Sequence, residues 1–115
     1  MGLWDSQVFD FENLYQTEFT LSKAERLHYR QTLMTHAMLF TGVDVVDGQP
    51  RRWRVENSWG EERGRKGFYT MNDSWFDEYM FEIAAPRSML TPELEAALEG
   101  EPKVLPAWDP MGSLA

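Results

Sequence analysis

Residues 34–67 read MTHAMLFTGVDVVDGQPRRWRVENSWGEERGRKG, and the other predicted elements are arranged around them. Two runs rich in β-branched and aromatic residues alternate between apolar and polar positions, and they flank the dipeptide Asp47-Gly48. Alternation with a period of two predicts β-strands, and Asp-Gly between such runs is a strong signal for a two-residue turn. The stretch therefore predicts a β-hairpin, followed by a charged loop punctuated by glycine.

The turn also predicts the register of the hairpin. With the Asp-Gly dipeptide at its centre, Val46 pairs with Gln49. Gly42 and Pro50 are each a candidate position for a β-bulge, and a one-residue slip would turn the side chains of one arm to the opposite face. Counting outward without a slip places four side chains on one face, with His36 opposite Trp59 and Met38 opposite Asn57.

His36 and Asn57 are diagonal neighbours in this register, roughly 7–8 Å apart at Cα and within side-chain reach. An imidazole beside a carboxamide, covered by the indole of Trp59, is the base and the orienting group of a Cys-His-Asn hydrolase. Each residue also has an ordinary structural interpretation: a lone histidine at the start of a strand, an asparagine in a turn or bulge, and a tryptophan in a core. The surrounding motif, given below, favours the catalytic interpretation.

Length, charge and hydropathy restrict the class of protein. At 115 residues the chain has the size of one domain or of part of one. Its formal net charge of −8 argues against a nucleic-acid partner, whose binders carry a basic face, and against an anionic membrane surface. No apolar run approaches the roughly 18 residues of a membrane-spanning helix, and no export signal is recognisable. We therefore expect a cytoplasmic protein without a membrane or nucleic-acid partner.

The chain contains no cysteine. This excludes disulfides and thiolate metal sites within these residues, and a cysteine nucleophile for the His-Asn pair would have to come from outside them.

The strand arginines Arg51, Arg52 and Arg54 alternate out of phase with the core face and are interpreted as solvated. We expect no metal and no cofactor, since four acidic residues lack the loop spacing of a calcium site: Asp44, Asp47, Glu61 and Glu62.

Shorter signals predict further elements around the hairpin. Ser22-Lys23-Ala24-Glu25 is a capping box that predicts a helix through about Gln31, with His28 at or near its surface. Residues 1–20 lack clean periodicity and predict an irregular lead-in with room for one short strand. The other predicted elements are a strand at Phe68–Met71, a helix from Ser74 to about Met80, a strand at Phe81–Ala85 that ends at Pro86, and a helix between the cap Thr91 and the stop Gly100.

Three motifs resemble one known family. They are Thr35-His36-Ala37-Met38, Trp53-Arg54-Val55-Glu56-Asn57-Ser58-Trp59-Gly60 and Leu105-Pro106-Ala107-Trp108-Asp109-Pro110-Met111-Gly112. They are similar to segments of the papain-like cysteine proteases, in particular the branch that contains bleomycin hydrolase and bacterial aminopeptidase C. The likeness extends over nearly the whole chain. It implies an α+β fold, the C-terminal part of a papain-like fold, with a bent antiparallel sheet of about four strands and short flanking helices.

The resemblance also implies a role for each residue of the predicted site. His36 would be the catalytic histidine, Asn57 would accept from its ring N–H and fix its orientation, and Trp59 would shield that hydrogen bond from water. In the family, the nucleophilic cysteine and the oxyanion-hole glutamine lie on an N-terminal segment that is absent from residues 1–115. The chain alone is therefore expected to be inactive, and we expect it to need that segment and to form a homo-oligomer.

The resemblance divides the chain into residues 1–101, part of the peptidase domain, and residues 102–115, an extended C-terminal arm. In the branch resembled, this arm lies in the substrate cleft and its terminal carboxylate meets the free amine of the substrate, which implies that role for Ala115. The implied function is a cysteine aminopeptidase acting on peptides. Two alternatives stay open: a tail that packs on the surface of its own domain, and a non-catalytic module that retains the fold.

Overall fold

The computed structural model describes residues 2–112, which form an α+β arrangement around one four-stranded sheet. The predicted fold class and the number of strands are confirmed. The sheet has the order β1-β4-β3-β2, and its strands are β1 (Leu3–Trp4), β2 (Leu39–Val46), β3 (Gln49–Glu56) and β4 (Phe68–Asn72).

β2 and β3 form the predicted hairpin, with Val46 opposite Gln49. The two residues of the turn, Asp47 and Gly48, have φ angles of 51° and 78°. Positive φ at both central residues is the requirement of a type I′ turn, whose twist matches that of the two strands. Asp47-Gly48, which predicted the hairpin from the sequence, therefore also has the backbone conformation that the turn requires.

The hairpin contains two bulges whose effects on register cancel. Arg51, directly after Pro50, is an extra residue on β3, and Thr41, directly before Gly42, is an extra residue on β2. Because the two extra residues lie on opposite strands, the second bulge restores the register that the first one shifts. Leu39, at the start of β2, therefore pairs with Glu56, as counting from the turn without a bulge predicts. The residues that precede β2 keep the side-chain facing expected from that count.

Two details of the predicted sheet are wrong. The sheet is not wholly antiparallel, since β1 runs parallel to β4 with Leu3 opposite Thr70 and Trp4 opposite Met71. Residues Phe81–Ala85 form no strand. Residues 82–85 are exposed, and it is β1 that pairs with the outer edge of β4. Parallel pairing between distant segments has no turn signature in the sequence, and so the lead-in gave no indication of this contact.

Four short helices accompany the sheet. α2 begins with the predicted capping box, in which the Glu25 carboxylate accepts the Ser22 backbone N–H at 2.8 Å and the Ser22 hydroxyl oxygen accepts the Glu25 N–H at 3.3 Å. It ends earlier than the predicted Gln31, because Arg30 has a φ of 59°, which no α-helix accommodates. The helices are α1 (Phe11–Tyr15), α2 (Lys23–His28), α3 (Asp73–Tyr79) and α4 (Pro92–Leu98), with 3-10 turns at Arg87–Met89 and Pro110–Gly112.

The buried apolar core of residues 2–112 is small and consists of Leu27, Val55, Tyr69 and Met71. The chain exposes 9633 Å² of surface, whereas a compact monomer of 13.5 kDa exposes about 6,500 Å². Its radius of gyration is 16.8 Å, against about 13 Å for a compact domain of this length. Much apolar surface is thus left available for contact with other protein.

The loop between β3 and β4 folds back onto the end of β3, where the Asn57 N–H donates to the Gly67 carbonyl at 3.0 Å. Gly64 has a φ of 64°, and a Cβ there would lie 2.5 Å from the Phe68 carbonyl oxygen. Gly60 has a φ of 81° but open space around it. Both positions therefore favour glycine for their backbone conformation, and Gly64 is additionally restricted by contact.

We expect Gly64→Ala to destabilise the protein more than Gly60→Ala. Both substitutions carry the cost of a left-handed backbone, about 1–2 kcal/mol, and the first adds a clash with backbone that cannot rotate away. Urea unfolding of the two variants provides the measurement, with the second variant as the matched control. Equal midpoints for the two variants would contradict the close approach at Gly64.

The capping box also predicts a pH dependence. The hydrogen bonds from the hydroxyl and backbone N–H of Ser22 lower the pKa of Glu25 from its ordinary value of 4.5. A carboxyl group with a lower pKa in the folded state stabilises the fold above its unfolded pKa, and this stabilisation is lost as pH falls through the folded value. Glu25→Gln is therefore expected to reduce the loss of stability as pH falls below the ordinary pKa of 4.5.

The measurement is the thermal midpoint as a function of pH, and Glu101→Gln is the control because Glu101 is exposed and lies outside every helix. If the two variants follow the same pH curve, the capping box makes no acid-dependent contribution.

Candidate active site

The structure brings His36 and Asn57 into direct contact. The Nε2 atom of His36 lies 3.0 Å from the Oδ1 atom of Asn57. His36 precedes β2 and Asn57 directly follows β3, so both lie at the open end of the hairpin. Asn57 is buried, with 6% of its surface exposed, whereas the histidine is exposed. A buried amide therefore orients an accessible imidazole.

The orientation of the Asn57 amide follows from its neighbours. The backbone N–H of Ser58 donates to Oδ1 at 2.8 Å, and since a backbone N–H can only donate, the atom facing it must be the oxygen. The same oxygen faces His36, so Nε2 of the imidazole carries a hydrogen and donates it. In the neutral ring Nδ1 then holds the lone pair. Within residues 2–112 Nδ1 makes no hydrogen bond, and it can exchange a proton with a group on the exposed side of the ring.

Trp59 covers one face of the imidazole. The two rings are stacked with centroids 5.2 Å apart and an interplanar angle of 21°. The indole is itself 49% exposed, so it forms the outer wall of the site. Stacking restricts rotation of the histidine and removes water from one side of the ring, which strengthens the hydrogen bond to the amide.

A row of aromatic side chains supports Trp59 from below. The rings of Tyr69 and Trp59 form a T-shaped pair with centroids 6.1 Å apart and an interplanar angle of 88°, and Trp4 stacks on Tyr69 at 4.7 Å and 13°. Tyr69 is buried. Sequence reasoning assigned no role to either residue in the site. Tyr69 lies on the strand predicted at Phe68–Met71, whereas Trp4 reaches the site through the parallel pairing of β1, for which the local sequence has no signal.

Ala115, which the resemblance implies as the group that binds the substrate amine, lies outside the described residues. The preceding part of the tail contacts the segment that follows α2, where the guanidinium of Arg30 donates to the Trp108 carbonyl at 3.1 Å. Residues 101–106 have no regular secondary structure, and Pro110–Gly112 forms a 3-10 turn. Trp108 remains 69% exposed, so its indole is available for packing against other protein.

The charged residues of the hairpin form a separate surface. Arg51 pairs with Asp44 at 2.6 Å, and both side chains are about half exposed, at 56% and 44%. Arg54 lies over the ring of Phe68 at 3.7 Å. In the part of the chain that the structure describes, no group of three or more His, Cys, Asp or Glu side chains could hold a metal ion, and no helix is long and apolar enough to cross a membrane.

Known proteins share both the sequence and the fold. Aminopeptidase C of Streptococcus thermophilus is 48% identical over 115 residues, which cover 99% of this chain and 26% of the relative. Human bleomycin hydrolase is 49% identical over 119 residues, which cover 100% of this chain and 26% of the relative. A crystal structure of PepW from Lactobacillus rhamnosis matches with a TM-score of 0.91 and 46% identity, covering 99% of this chain and 26% of that one.

The chain thus spans about a quarter of the length of these relatives. The resemblance that the three sequence motifs indicated is confirmed by these names. The family model described as Peptidase C1-like matches residues 1–112, nearly the whole chain. This chain therefore belongs to the Peptidase C1-like family.

Proposed function

We propose that this chain supplies the histidine and asparagine of a cysteine aminopeptidase that removes residues from peptide N-termini. The observation that carries the proposal is the 3.0 Å contact between His36 Nε2 and an Asn57 oxygen whose identity the Ser58 N–H fixes. This contact leaves Nδ1 of the histidine for a cysteine thiol. The relatives named aminopeptidase C support the reaction class.

Each step of acyl transfer assigns the imidazole a task. It takes the proton of the thiol, and the resulting imidazolium stabilises the thiolate. The thiolate attacks the peptide carbonyl, the C–N bond breaks, and the imidazolium gives its proton to the departing amine. Water then attacks the thioester with the imidazole as base, which releases the acid and regenerates the thiol. Asn57 keeps Nε2 protonated throughout and adds no charge. The reaction uses no metal or cofactor.

The thiol must come from a segment outside these residues, because the chain contains no cysteine. We assign that segment the nucleophilic cysteine and an oxyanion-hole glutamine. Two findings support such a partner: the chain spans about a quarter of its relatives' length, and its surface is about half as large again as that of a compact monomer. The chain alone is inactive in this proposal. Homo-oligomerisation would cover further apolar surface, and the proposed location is the cytoplasm.

The C-terminal residues would make the peptidase an aminopeptidase. We propose that residues 1–101 belong to the peptidase domain and that residues 102–115 form an arm that carries the Ala115 carboxylate to the substrate ammonium. A charge-assisted hydrogen bond in a partly desolvated cleft contributes roughly 1.5–3 kcal/mol. The same arm would exclude peptides with further residues on the N-terminal side of the residue that is removed, and so it would convert an endopeptidase cleft into an exopeptidase site.

A second candidate function is a non-catalytic module that retains the fold for assembly, and the absence of cysteine favours it. The intact mass of the native protein separates the two. A polypeptide about four times as long as this chain agrees with the 26% coverage of the relatives and supports the enzyme. A native polypeptide of 115 residues would leave the module as the function.

The first prediction from the proposed function concerns the His-Asn pair in the native protein that contains this chain. His36→Ala is expected to lower kcat by about 10²- to 10⁴-fold, because it removes the group that moves the proton. Asn57→Ala is expected to cost less, because it releases the ring without removing it. His28→Ala is the matched control, since this second histidine lies exposed on α2. Hydrolysis of aminoacyl-coumarin amides provides the rates.

Retention of full activity by His36→Ala, or an equal loss in His28→Ala, would contradict the assignment of the site. Circular dichroism of each variant separates a loss of chemistry from a loss of fold.

The second prediction concerns the tail. Deletion of residues 112–115 is expected to reduce the preference for substrates with a free amine over N-acetylated ones by about 10- to 100-fold, because the ammonium loses its carboxylate partner. Ser113→Ala, which keeps the terminal carboxylate, is the control. The measurement compares kcat/KM for the free and acetylated forms of one peptide. An unchanged ratio in the shortened protein would show that the arm has no part in selectivity.

A further inference from the structure

We propose that Met38 is a positioning residue whose sulfur holds the nitrogen end of the Asn57 amide, so that the oxygen end stays on His36. The proposal rests on the proposed function, because it deepens the role of the same His-Asn pair. The hydrogen bond of Met38 is to Asn57, so we assign it an effect on the histidine through the amide and no part in the chemistry itself.

The amide of Asn57 is buried, and its oxygen already has two donors, His36 and the Ser58 N–H. Its nitrogen, Nδ2, donates to the sulfur of Met38 at 3.8 Å. Within residues 2–112, Nδ2 makes no other hydrogen bond. A buried amide N–H without an acceptor is costly, so the thioether, although a weak acceptor, supplies a partner that the site needs.

The backbone explains why these three side chains meet. His36 and Met38 are two residues apart on the arm that enters β2, and side chains with this spacing share a face. The restored register places this face against Asn57, which follows β3. The histidine consequently contacts one end of the carboxamide and the methionine contacts the other. One arm of the hairpin thus holds the amide of the other arm at both ends.

The chemistry of sulfur suits this position. A carboxylate would place a negative charge beside the amide and compete for the imidazolium that the reaction forms. A leucine would fill the space but accept no hydrogen bond. The thioether accepts the amide hydrogen weakly and remains neutral, so it restricts rotation of the carboxamide without altering the charge of the site.

The test compares Met38→Leu, Met38→Gln and Met34→Leu in the native protein that contains this chain. Met34→Leu is the matched control, because both methionines are half-buried and Met34 makes no hydrogen bond to the amide within residues 2–112. Met38→Leu is expected to lower kcat about five-fold with little change in KM, and Met38→Gln is expected to recover most of the loss because its carbonyl oxygen accepts the amide hydrogen.

A spectroscopic readout accompanies the kinetics. In ¹H–¹⁵N spectra, the side-chain Nδ2 hydrogens of Asn57 are expected to exchange faster with solvent in Met38→Leu than in Met34→Leu, and to regain protection in Met38→Gln. Equal behaviour of the two leucine variants in both measurements would overturn the proposal. Equal losses in Met38→Leu and Met38→Gln would also overturn it, because they would indicate a requirement for shape alone.

The failure of the proposed function would look different. If the native protein hydrolyses no peptide, the kinetic comparison disappears but the exchange of the Asn57 amide still reports whether Met38 holds it. Slow exchange that depends on the acceptor at position 38 would then support the contact while the aminopeptidase assignment fails.

Discussion

The hydrogen bond between His36 and Asn57 depends on the side-chain facing of one hairpin, and that facing depends on two bulges. Side chains alternate along a strand with a period of two, so a single extra residue turns every side chain beyond it to the other face. Here β3 has an extra residue at Arg51 and β2 has one at Thr41, on opposite strands. The register is therefore restored before the site begins, and the imidazole and the carboxamide reach 3.0 Å.

Elements that depend on a local sequence signal, such as turns and helix starts, could be predicted from the sequence. Elements that depend on a contact between distant segments could not. Asp47-Gly48 predicts the turn because its backbone requires two residues with positive φ, and the Ser22 capping box predicts where α2 begins. The pairing of His36 with Asn57 follows from counting along the strands. The parallel contact between Leu3–Trp4 and β4 could not be predicted, and the strand expected at Phe81–Ala85 does not form. The partner of the Asn57 nitrogen, Met38, was placed on the correct face, but no pattern identified its sulfur as an acceptor.

The aromatic residues explain how a chain with so small a core holds its site in place. Tyr69 is buried between Trp4 and Trp59, and this row connects the edge of the sheet to the outer wall of the site. A second group, Phe40, Trp53 and Phe76, joins the hairpin to α3, with centroids 4.7 to 5.7 Å apart. Each ring buries a large area for one ordered residue, so these contacts stabilise the sheet although few residues are fully buried.

The hydrogen bonds that hold the side chain and the backbone N–H of Asn57, apart from the bond to His36, come from the hairpin and the loop that follows it. Ser58 is the covalent neighbour of Asn57, Met38 lies across the hairpin, and the Asn57 N–H is held by the loop carbonyl of Gly67. None of these contacts uses a residue beyond the hairpin and its following loop. The histidine is therefore oriented before any nucleophile approaches it. In the proposed enzyme, a segment that carries a cysteine would need only to dock against the exposed side of the imidazole, because the geometry of the His-Asn pair is already fixed.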